Sequence, residues 1–402
     1  MTQEPGELPL KLPRGEHYIL FDQIASGGMA TVHLGLLRGA LGFSRVVAVK
    51  RLHSTFASDA RIVQMMTAEA RVASQIRHVN VVPTLDVIVA KGELFVVMEY
   101  VRGTSLFRLL SDAKANSEAI SLDLTVATLT GALRGLHAAH EALDLDGAPL
   151  GVVHRDVSPH NILVGVGGIP RIIDFGVAKA LGTQDLTKDG EFKGKLAYAA
   201  PEQLSGEAVS PRTDVFAAGI VLWEMLTGAR LFLGTSDIET FRNVVDCVVP
   251  DIRDFMQHSA EATTAIVPVV RRALERDPSK RYPTAEAMAL DLGRAHPSAA
   301  SGELGGWVRR AAAEQLAREH LIVSSLERRS RELEATSPGE ENDTRRIQLV
   351  DAAREAPRDP SHSSPEGRLD VTRFGARSLA VVAGAAALGS LVGTVAAFEL
   401  MR

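Results

Sequence analysis

The chain has 402 residues, of which 46% are hydrophobic, so it can fill a sizeable core in two or three domains, and disorder throughout is excluded. Its formal net charge of −5 is small for this length, so the overall charge does not indicate nucleic acid or an acidic membrane surface as the main partner. The single cysteine, Cys247, excludes an intrachain disulfide and is typical of a reducing compartment.

The first 300 residues predict two regions of different secondary structure. Residues 1–17 are rich in proline and lack an apolar core, which predicts a disordered N-terminus rather than a signal peptide. From Tyr18 to Tyr100, short β-branched and apolar runs predict strands, interrupted by one helix near Ile62–Ile76. Helix-length patterns dominate after Leu106. The sequence therefore predicts an α+β fold with a small β-rich lobe, a larger α-rich lobe and a ligand cleft between them.

Two further segments follow. Residues 301–335 are rich in Ala, Leu, Glu and Arg and predict a helical extension, which either packs on the large lobe or projects as a coiled-coil stalk. Packing is favoured because no clean heptad pattern runs for the three to four repeats that a stalk needs. The expected apolar anchors of this extension are Trp307, Leu316, Leu321 and Leu326. Residues 336–377 contain prolines among charged and small residues and predict a disordered linker.

Residues 378–398 predict a transmembrane helix. This stretch of 21 residues has no charged side chain, and at about 1.5 Å per residue a helix of this length spans a hydrocarbon layer of about 30 Å. The alternative is a buried core helix. Arg373 and Arg377 precede the stretch, so the positive-inside rule predicts that the preceding residues are cytoplasmic. Small residues recur every four positions in it, which makes a homodimer through this helix possible.

The strongest chemical signal is His154-Arg155-Asp156 with Asn161, followed by Asp174-Phe175-Gly176. A carboxylate that can accept a hydroxyl proton, an amide five residues later and a second carboxylate after a strand-length apolar stretch predict phosphoryl transfer around magnesium. Each triplet alone is a weak signal, and the alternative interpretation is a polar turn for His-Arg-Asp and a strand-end turn for Asp-Phe-Gly. In this order and at this spacing they resemble the protein kinase family over residues 18–293, and in particular the bacterial, eukaryotic-like Ser/Thr kinases.

The resemblance implies a two-lobed protein kinase fold that uses ATP and Mg²⁺ to phosphorylate Ser or Thr in proteins, with no nucleic acid partner. Combined with the predicted membrane helix, it implies a single-pass protein of the cell inner membrane with its kinase domain in the cytoplasm. It also implies roles for individual residues. Asp156 is the expected catalytic base, while Asn161 and Asp174 are the expected metal ligands.

Lys50 is expected to bind the α- and β-phosphates. A lysine at the end of an apolar strand is ordinarily a surface residue, but Glu69 stands at the spacing of the family's ion pair with this lysine. The glycine-rich loop is expected at Ile24, Ala25, Ser26, Gly27 and Gly28, where Ala25 and Ala30 replace two usual glycines. The adenine is expected between Val32, Ala48 and Leu163, beside the gatekeeper Met98, with bonds to the Glu99 carbonyl and the Val101 amide.

Two positions depart from the family pattern. Ser158 replaces the lysine usually found two residues after the catalytic aspartate, and Lys195 replaces a threonine that normally contacts that lysine. This pattern predicts that Lys195 takes over the catalytic charge, although it could instead only help to bind an acidic substrate. A pseudokinase that binds nucleotide or partners without catalysis, or a small-molecule kinase, remains an alternative.

The resemblance also implies one regulatory contact and one structural ion pair. Arg155 is expected to pair with a phosphate on Thr187 or Thr183 in the activation segment. Glu202 and Arg281 are expected to form a buried ion pair that supports the large lobe.

Overall fold

The computed structural model describes residues 10–11, 18–27, 30–39, 43–53, 59–90, 93–175, 191–255 and 260–336. These residues all belong to the first of the two units into which the chain divides, Met1–Ser337. Several predictions lie outside the described residues, namely Gly28, most of 1–17, Thr183, Thr187, the linker after Thr336 and the membrane helix at 378–398. Within the part of the chain that is described, no helix is both long and apolar enough to cross a membrane.

The small lobe is built on a six-stranded sheet with the order β1-β2-β3-β4-β6-β5. Its strands are β1 (Leu10–Lys11), β2 (Tyr18–Ser26), β3 (Ala30–Arg38), β4 (Ser44–Leu52), β5 (Thr84–Ala90) and β6 (Glu93–Glu99). Alternate residues of β4 and β6, among them Val47, Val49 and Val97, share one buried face, as the two-residue period of a strand requires. At Leu10 and Lys11 the structure departs from the predicted disorder, because their backbone pairs with the edge of β2.

One helix, α1 (Ala60–Gln75), packs against this sheet beside β5. The carboxylate of Asp59 caps its start by accepting the backbone N–H of Arg61 at 2.8 Å. Ile62 and Met66 lie on its inner face and pack against buried leucines of the sheet. This packing fixes the side of α1 that carries Glu69 toward the lobe boundary.

The large lobe is helical around one central helix, α6 (Pro211–Thr227). Residues 213–226 of α6 are all buried, so this helix is surrounded by protein on every side. Ser210 caps its start and Gly228 ends it with a left-handed φ of 67°. The surrounding helices are α2 (Leu106–Ala115), α3 (Leu122–His140), α4 (Glu191–Leu196), α5 (Pro201–Leu204), α7 (Asp237–Asp246), α8 (Ala260–Ala273) and α9 (Ala285–Ala295).

A second, three-stranded sheet lies where the chain enters the large lobe. It consists of β7 (Gly103–Ser105), β8 (Ile162–Gly165) and β9 (Pro170–Ile172), in the order β7-β8-β9. Asn161 immediately precedes β8, and Asp174 follows β9 by two residues. The antiparallel pairing of Ile162 with Ile172 therefore brings the two predicted metal ligands to the same end of this sheet.

The helical extension consists of α10 (Ser301–Ala311) and α11 (Ala313–Thr336). Helix α10 lies so close to the turn after β8 that a Cβ on Gly305 would stand 2.3 Å from the Val166 carbonyl oxygen. Trp307 and Leu316 are buried as anchors, whereas Leu321 is 71% exposed and contributes no anchor. The side chain of Leu326 lies outside the described residues.

Candidate active site

The loop from His154 to Asn161 is held in its conformation by one buried carboxylate. Asp214, in the first turn of α6, accepts the backbone N–H groups of His154 at 2.7 Å and Arg155 at 2.8 Å, and also contacts His140 Nε2 at 2.7 Å. Arg155 has a φ of 63°, a conformation that costs a non-glycine residue about 1–3 kcal/mol. The bonds to Asp214 offset this cost and aim the loop at the cleft.

The imidazole of His154 links this loop to the strand end before Asp174. Its Nδ1 accepts the backbone N–H of Asp156 at 3.3 Å, and its Nε2 donates to the Ile173 carbonyl at 3.0 Å. Burial lowers the pKa of His154 below its ordinary value, although neighbouring carboxylates act in the opposite direction. The neutral ring therefore donates one hydrogen bond and accepts another, which links the backbone at Asp156 to the backbone just before Asp174.

Asp156, Asn161 and Lys195 meet in one cluster. The Asn161 Nδ2 donates to the Asp156 carbonyl at 2.7 Å and to Asp156 Oδ2 at 3.0 Å. Lys195 Nζ donates to the same Oδ2 at 3.1 Å. Ser158, the other half of the predicted exchange, is buried nearby in the loop, and its Oγ has no hydrogen-bond partner among the described residues.

Lys50 bonds to Asp174 across the boundary between the lobes, with 2.8 Å between Nζ and Oδ1. Burial by itself lowers the pKa of Lys50, but the carboxylates of Asp174 and Glu69 outweigh it and raise the pKa above its ordinary value. Lys50 is thus an ammonium with two carboxylates close to it. Phe175 is buried beside Asp174, with its ring centroid 5.0 Å from that of His154.

The residues at the cleft fit a magnesium ion bound together with phosphates. Because Nδ2 of Asn161 is bonded to Asp156, its amide oxygen is the atom left to act as a ligand. An amide oxygen and the Asp174 carboxylate are hard oxygen donors, and Mg²⁺ is typically bound by one or two such groups plus substrate phosphates.

The residues predicted to contact the nucleotide surround the same cleft. Val32 on β3 pairs with Lys50 on β4, and Ala48 pairs with Met98 on β6, so these side chains lie side by side on one face of the sheet. Leu163 on β8 is half-buried on the opposite lobe. Ile24, Ala25 and Ser26 end β2, and the Gly27 N–H closes the turn by donating to the Ala30 carbonyl at 2.9 Å.

The connection between the lobes runs through Glu99, Tyr100 and Val101. The Glu99 side chain bridges Arg45 at 2.9 Å and Arg171 at 2.6 Å, which ties the small lobe to β9. The Tyr100 hydroxyl donates to Glu319 of α11 at 2.6 Å. The pKa of Tyr100 lies far above its ordinary value, mainly because the hydroxyl is buried and also because of its hydrogen bond to the Glu319 carboxylate. The sequence gives no signal for this contact, because the two residues are 219 positions apart.

The predicted ion pair between Glu202 and Arg281 is confirmed. Arg281 Nη1 and Nη2 donate to the two carboxylate oxygens of Glu202 at 2.7 and 2.9 Å, and both side chains are buried. The two parallel hydrogen bonds fix the relative orientation of the two side chains and also strengthen the ion pair. This pair braces α5 against the loop before α9.

Comparison with known proteins agrees with this geometry. The model of the family described as protein kinase domain matches residues 18–292. The chain is 37% identical over 286 residues to a protein named tyrosine-protein kinase MasK from Myxococcus xanthus, which covers 71% of this chain and 44% of that protein. It is 33% identical over 296 residues to the Ser/Thr-protein kinase PknL of Mycobacterium tuberculosis, covering 72% of this chain and 68% of the relative.

Solved structures show the same fold. The kinase domain of PknI from Mycobacterium tuberculosis aligns with a TM-score of 0.53 at 21% identity, covering 74% of this chain and all of that domain. The chain spans less than half the length of several curated relatives, for example 42% of the probable Ser/Thr kinase PknB of Lactococcus lactis. The predicted two-lobed kinase architecture is confirmed, and the chain belongs to the protein kinase family, with bacterial Ser/Thr-protein kinases among its relatives.

Proposed function

We propose that this protein transfers the γ-phosphate of ATP to Ser or Thr hydroxyls of other proteins, with Asp156 as the base. The observation that carries the proposal is the cluster in which Asn161 and Lys195 both donate to Asp156 Oδ2, at 3.0 and 3.1 Å. These bonds hold the carboxylate in one orientation. A pseudokinase does not need such a pre-oriented carboxylate, so the geometry favours catalysis.

Each group in the cleft has a defined task in this reaction. Asp156 accepts the proton of the substrate hydroxyl while the hydroxyl oxygen forms a bond to the γ-phosphorus and the bond from that phosphorus to the leaving oxygen of ADP breaks. Lys50 holds the α- and β-phosphates, and its raised pKa keeps it charged. Asn161 and Asp174 would hold Mg²⁺, which neutralises charge on the phosphates.

The first test replaces the base. Asp156→Asn should lower kcat by at least about 10²-fold with little change in ATP affinity, because the loss of a general base affects the chemical step. Asp22→Asn, an exposed aspartate on β2, is the matched control. Transfer by Asp156→Asn at the wild-type rate would contradict the assignment, and ATP binding without any turnover by the wild-type protein would favour the pseudokinase.

The identity of the acceptor has a second candidate. The relatives PknL and PknB are named Ser/Thr kinases, whereas MasK, which is 37% identical, is named a tyrosine kinase. We favour Ser and Thr. Phospho-amino-acid analysis after reaction with peptides that differ only in Ser, Thr or Tyr decides between them, and labelling confined to tyrosine would establish the second candidate.

We also propose that residues 378–398 anchor the kinase in the cell inner membrane with residues 1–372 on the cytoplasmic side. The support comes from the uncharged stretch and its flanking arginines. Truncation after Pro365 should move the protein from the membrane fraction to the soluble fraction without loss of activity on a soluble substrate. A truncated form that stays at the membrane would point to a different anchor. Cross-linking of the full chain, compared with the truncated form, tests the possible homodimer.

A further inference from the structure

Two cations lie next to each other beside the catalytic aspartate, and we refer to Lys195 and Arg230 together as the basic wall. Lys195 Nζ is 3.1 Å from Asp156 Oδ2, and Arg230 Nη1 donates to the carbonyl of Gly194, the residue before Lys195, at 3.4 Å. A substrate whose hydroxyl reaches Asp156 therefore meets Lys195, and Arg230 contacts the backbone next to that lysine.

The acidic side chain in the same region is already engaged. Glu224 of α6 accepts Arg230 Nε at 2.9 Å through one oxygen, and the Tyr198 hydroxyl donates to the other. The guanidinium carbon of Arg230 also lies over the Tyr198 ring, 5.1 Å from its centroid. The protein thus supplies its own arginine to this carboxylate, so the carboxylate does not need a basic residue from a substrate.

Solvent accessibility decides which charges a substrate meets. The side chains of Lys195 and Arg230 are 40% and 23% exposed, whereas those of Asp156 and Glu224 are 12% and 10% exposed. The cations are therefore the outward-facing members of both ion pairs. Among the described residues, Glu224 and Gly194 accept from two of the five N–H donors of the Arg230 guanidinium, and the other donors can bind a further acceptor.

The loop that carries Asp156 also contains one member of a stacked ring pair. His160 stacks on Phe107 of α2, with 3.9 Å between ring centroids and 20° between planes. His160 directly precedes Asn161, so the ring pair belongs to the same loop as Asp156. The ring pair contributes no carboxylate that would attract a basic residue of a substrate.

We infer that the protein substrate carries an Asp or Glu within about three residues of the phosphorylated hydroxyl, and that Arg230 determines this specificity. An extended peptide advances about 3.3 Å per residue, so an acid at this separation is within reach of the long arginine and lysine side chains. The inference rests on the proposed function, since it describes the substrate of the same site. Electrostatic complementarity of this kind selects partners and suppresses wrong ones.

The test compares three serine peptides that are identical except for Asp, Gln or Lys at the flanking positions, with the full chain, Mg²⁺ and ATP. The wild-type protein should show kcat/KM for the Asp peptide at least tenfold above that for the Gln peptide, and lowest for the Lys peptide. Arg230→Gln should expose the Glu224 carboxylate to the substrate and shift the preference toward the Lys peptide.

A second variant separates specificity from folding. Arg230→Gln leaves a buried carboxylate without its cation and can destabilise the protein. The double variant Arg230→Gln/Glu224→Gln removes both charges and keeps Lys195, which remains paired with Asp156, so it should phosphorylate the three peptides within about threefold of one another. Arg294→Gln, an exposed arginine that pairs with Asp291 at 2.8 Å, is the matched control and should keep the wild-type preference.

The outcomes test the acidic preference and phosphoryl transfer separately. Wild-type protein that phosphorylates the Lys peptide as well as the Asp peptide overturns the inference, as does a folded double variant that retains the acidic preference. In both cases phosphoryl transfer itself is observed, so the proposed function stands. If the wild-type protein transfers phosphate to no protein or peptide at all, the proposed function fails and the inference fails with it.

Discussion

Lys195 Nζ donates a hydrogen bond to Asp156 Oδ2 at 3.1 Å, so a cation from α4 reaches the carboxylate that we propose as the base. The sequence predicts this meeting from the apparent exchange of polar residues between positions 158 and 195. The side chain is 40% exposed, which leaves it accessible to a phosphoryl group and to a substrate. Both proposed roles of Lys195 are therefore compatible with its position, and kinetics can separate them.

Lys195→Thr should lower kcat by about 10²- to 10³-fold, the cost typical of removing one preorganised electrostatic contact. Adding Ser158→Lys should restore much of the loss, a non-additive result expected of residues that share one partner. Steady-state kinetics with saturating ATP measure both effects, and Lys280→Thr, an exposed lysine, is the control. A change confined to the KM of the protein substrate would show that Lys195 only binds substrate.

Asp214→Asn should both destabilise the protein and slow catalysis. The carboxylate accepts the N–H groups of His154 and Arg155, and an amide offers only one acceptor oxygen, so a buried donor loses its partner at a cost of about 1–3 kcal/mol. Urea unfolding and kcat measure the two effects. Asp237→Asn, in the first turn of α7, is the exposed control. An unchanged kcat would show that the strained Arg155 backbone does not depend on this carboxylate.

Glu202→Gln should reduce the free energy of unfolding by about 3 kcal/mol at neutral pH, because it leaves the buried Arg281 without its counter-ion. Burial raises the pKa of Glu202, but the hydrogen bonds and charge of Arg281 outweigh it and hold the pKa below its usual range. The stabilisation is therefore complete above the unfolded pKa of about 4.3 and is lost as the pH falls through the lower folded pKa.

The difference in the free energy of unfolding between wild type and Glu202→Gln should accordingly narrow as the pH falls below about 4.3. Thermal unfolding at a series of pH values measures it. Glu118→Gln, an exposed glutamate before α3, should track the wild type. A difference in the free energy of unfolding that stays constant as the pH falls would mean that the ion pair does not set the pKa of Glu202.

Glu319→Gln should raise the KM for ATP about threefold and lower stability by about 1 kcal/mol, with a smaller effect on kcat. Glu319 is 9% exposed and accepts hydrogen bonds from Tyr100, which adjoins the predicted adenine contacts, and from Gln315. Replacing the acceptor weakens a charge-assisted bond at the connection between the lobes. Kinetics in ATP and thermal unfolding measure the two effects.

Two comparisons make this prediction specific. Glu314→Gln, an exposed glutamate on the same helix, should have no effect. Tyr100→Phe combined with Glu319→Gln should cost no more than either change alone, because both remove the same hydrogen bond. Additive losses of stability and of ATP affinity would show that α11 acts on the connection between the lobes through other contacts.

The amino-acid sequence alone was sufficient to predict the order of the elements and the chemical groups of the cleft. Hydrophobic period indicated the strand Val46–Val49 and the helix near Ile62–Ile76, which the structure has as β4 and α1. Spacing brought Asp156, Asn161 and Asp174 together as candidates. These features depend on local periodicity and on residues within one loop or hairpin, so a pattern in the sequence is enough to indicate them.

Tertiary structure decided the contacts between distant segments. Asp214 bonds to the backbone of His154, 60 positions earlier, and Glu319 bonds to Tyr100, 219 positions earlier. Lys50 bonds to Asp174, 124 positions away, with Glu69 close by. Arg230 Nε donates to Glu224 at 2.9 Å, and the arginine is the more exposed of the two side chains. Sequence spacing cannot predict such pairs, because their geometry depends on how complete helices and sheets pack around a shared core.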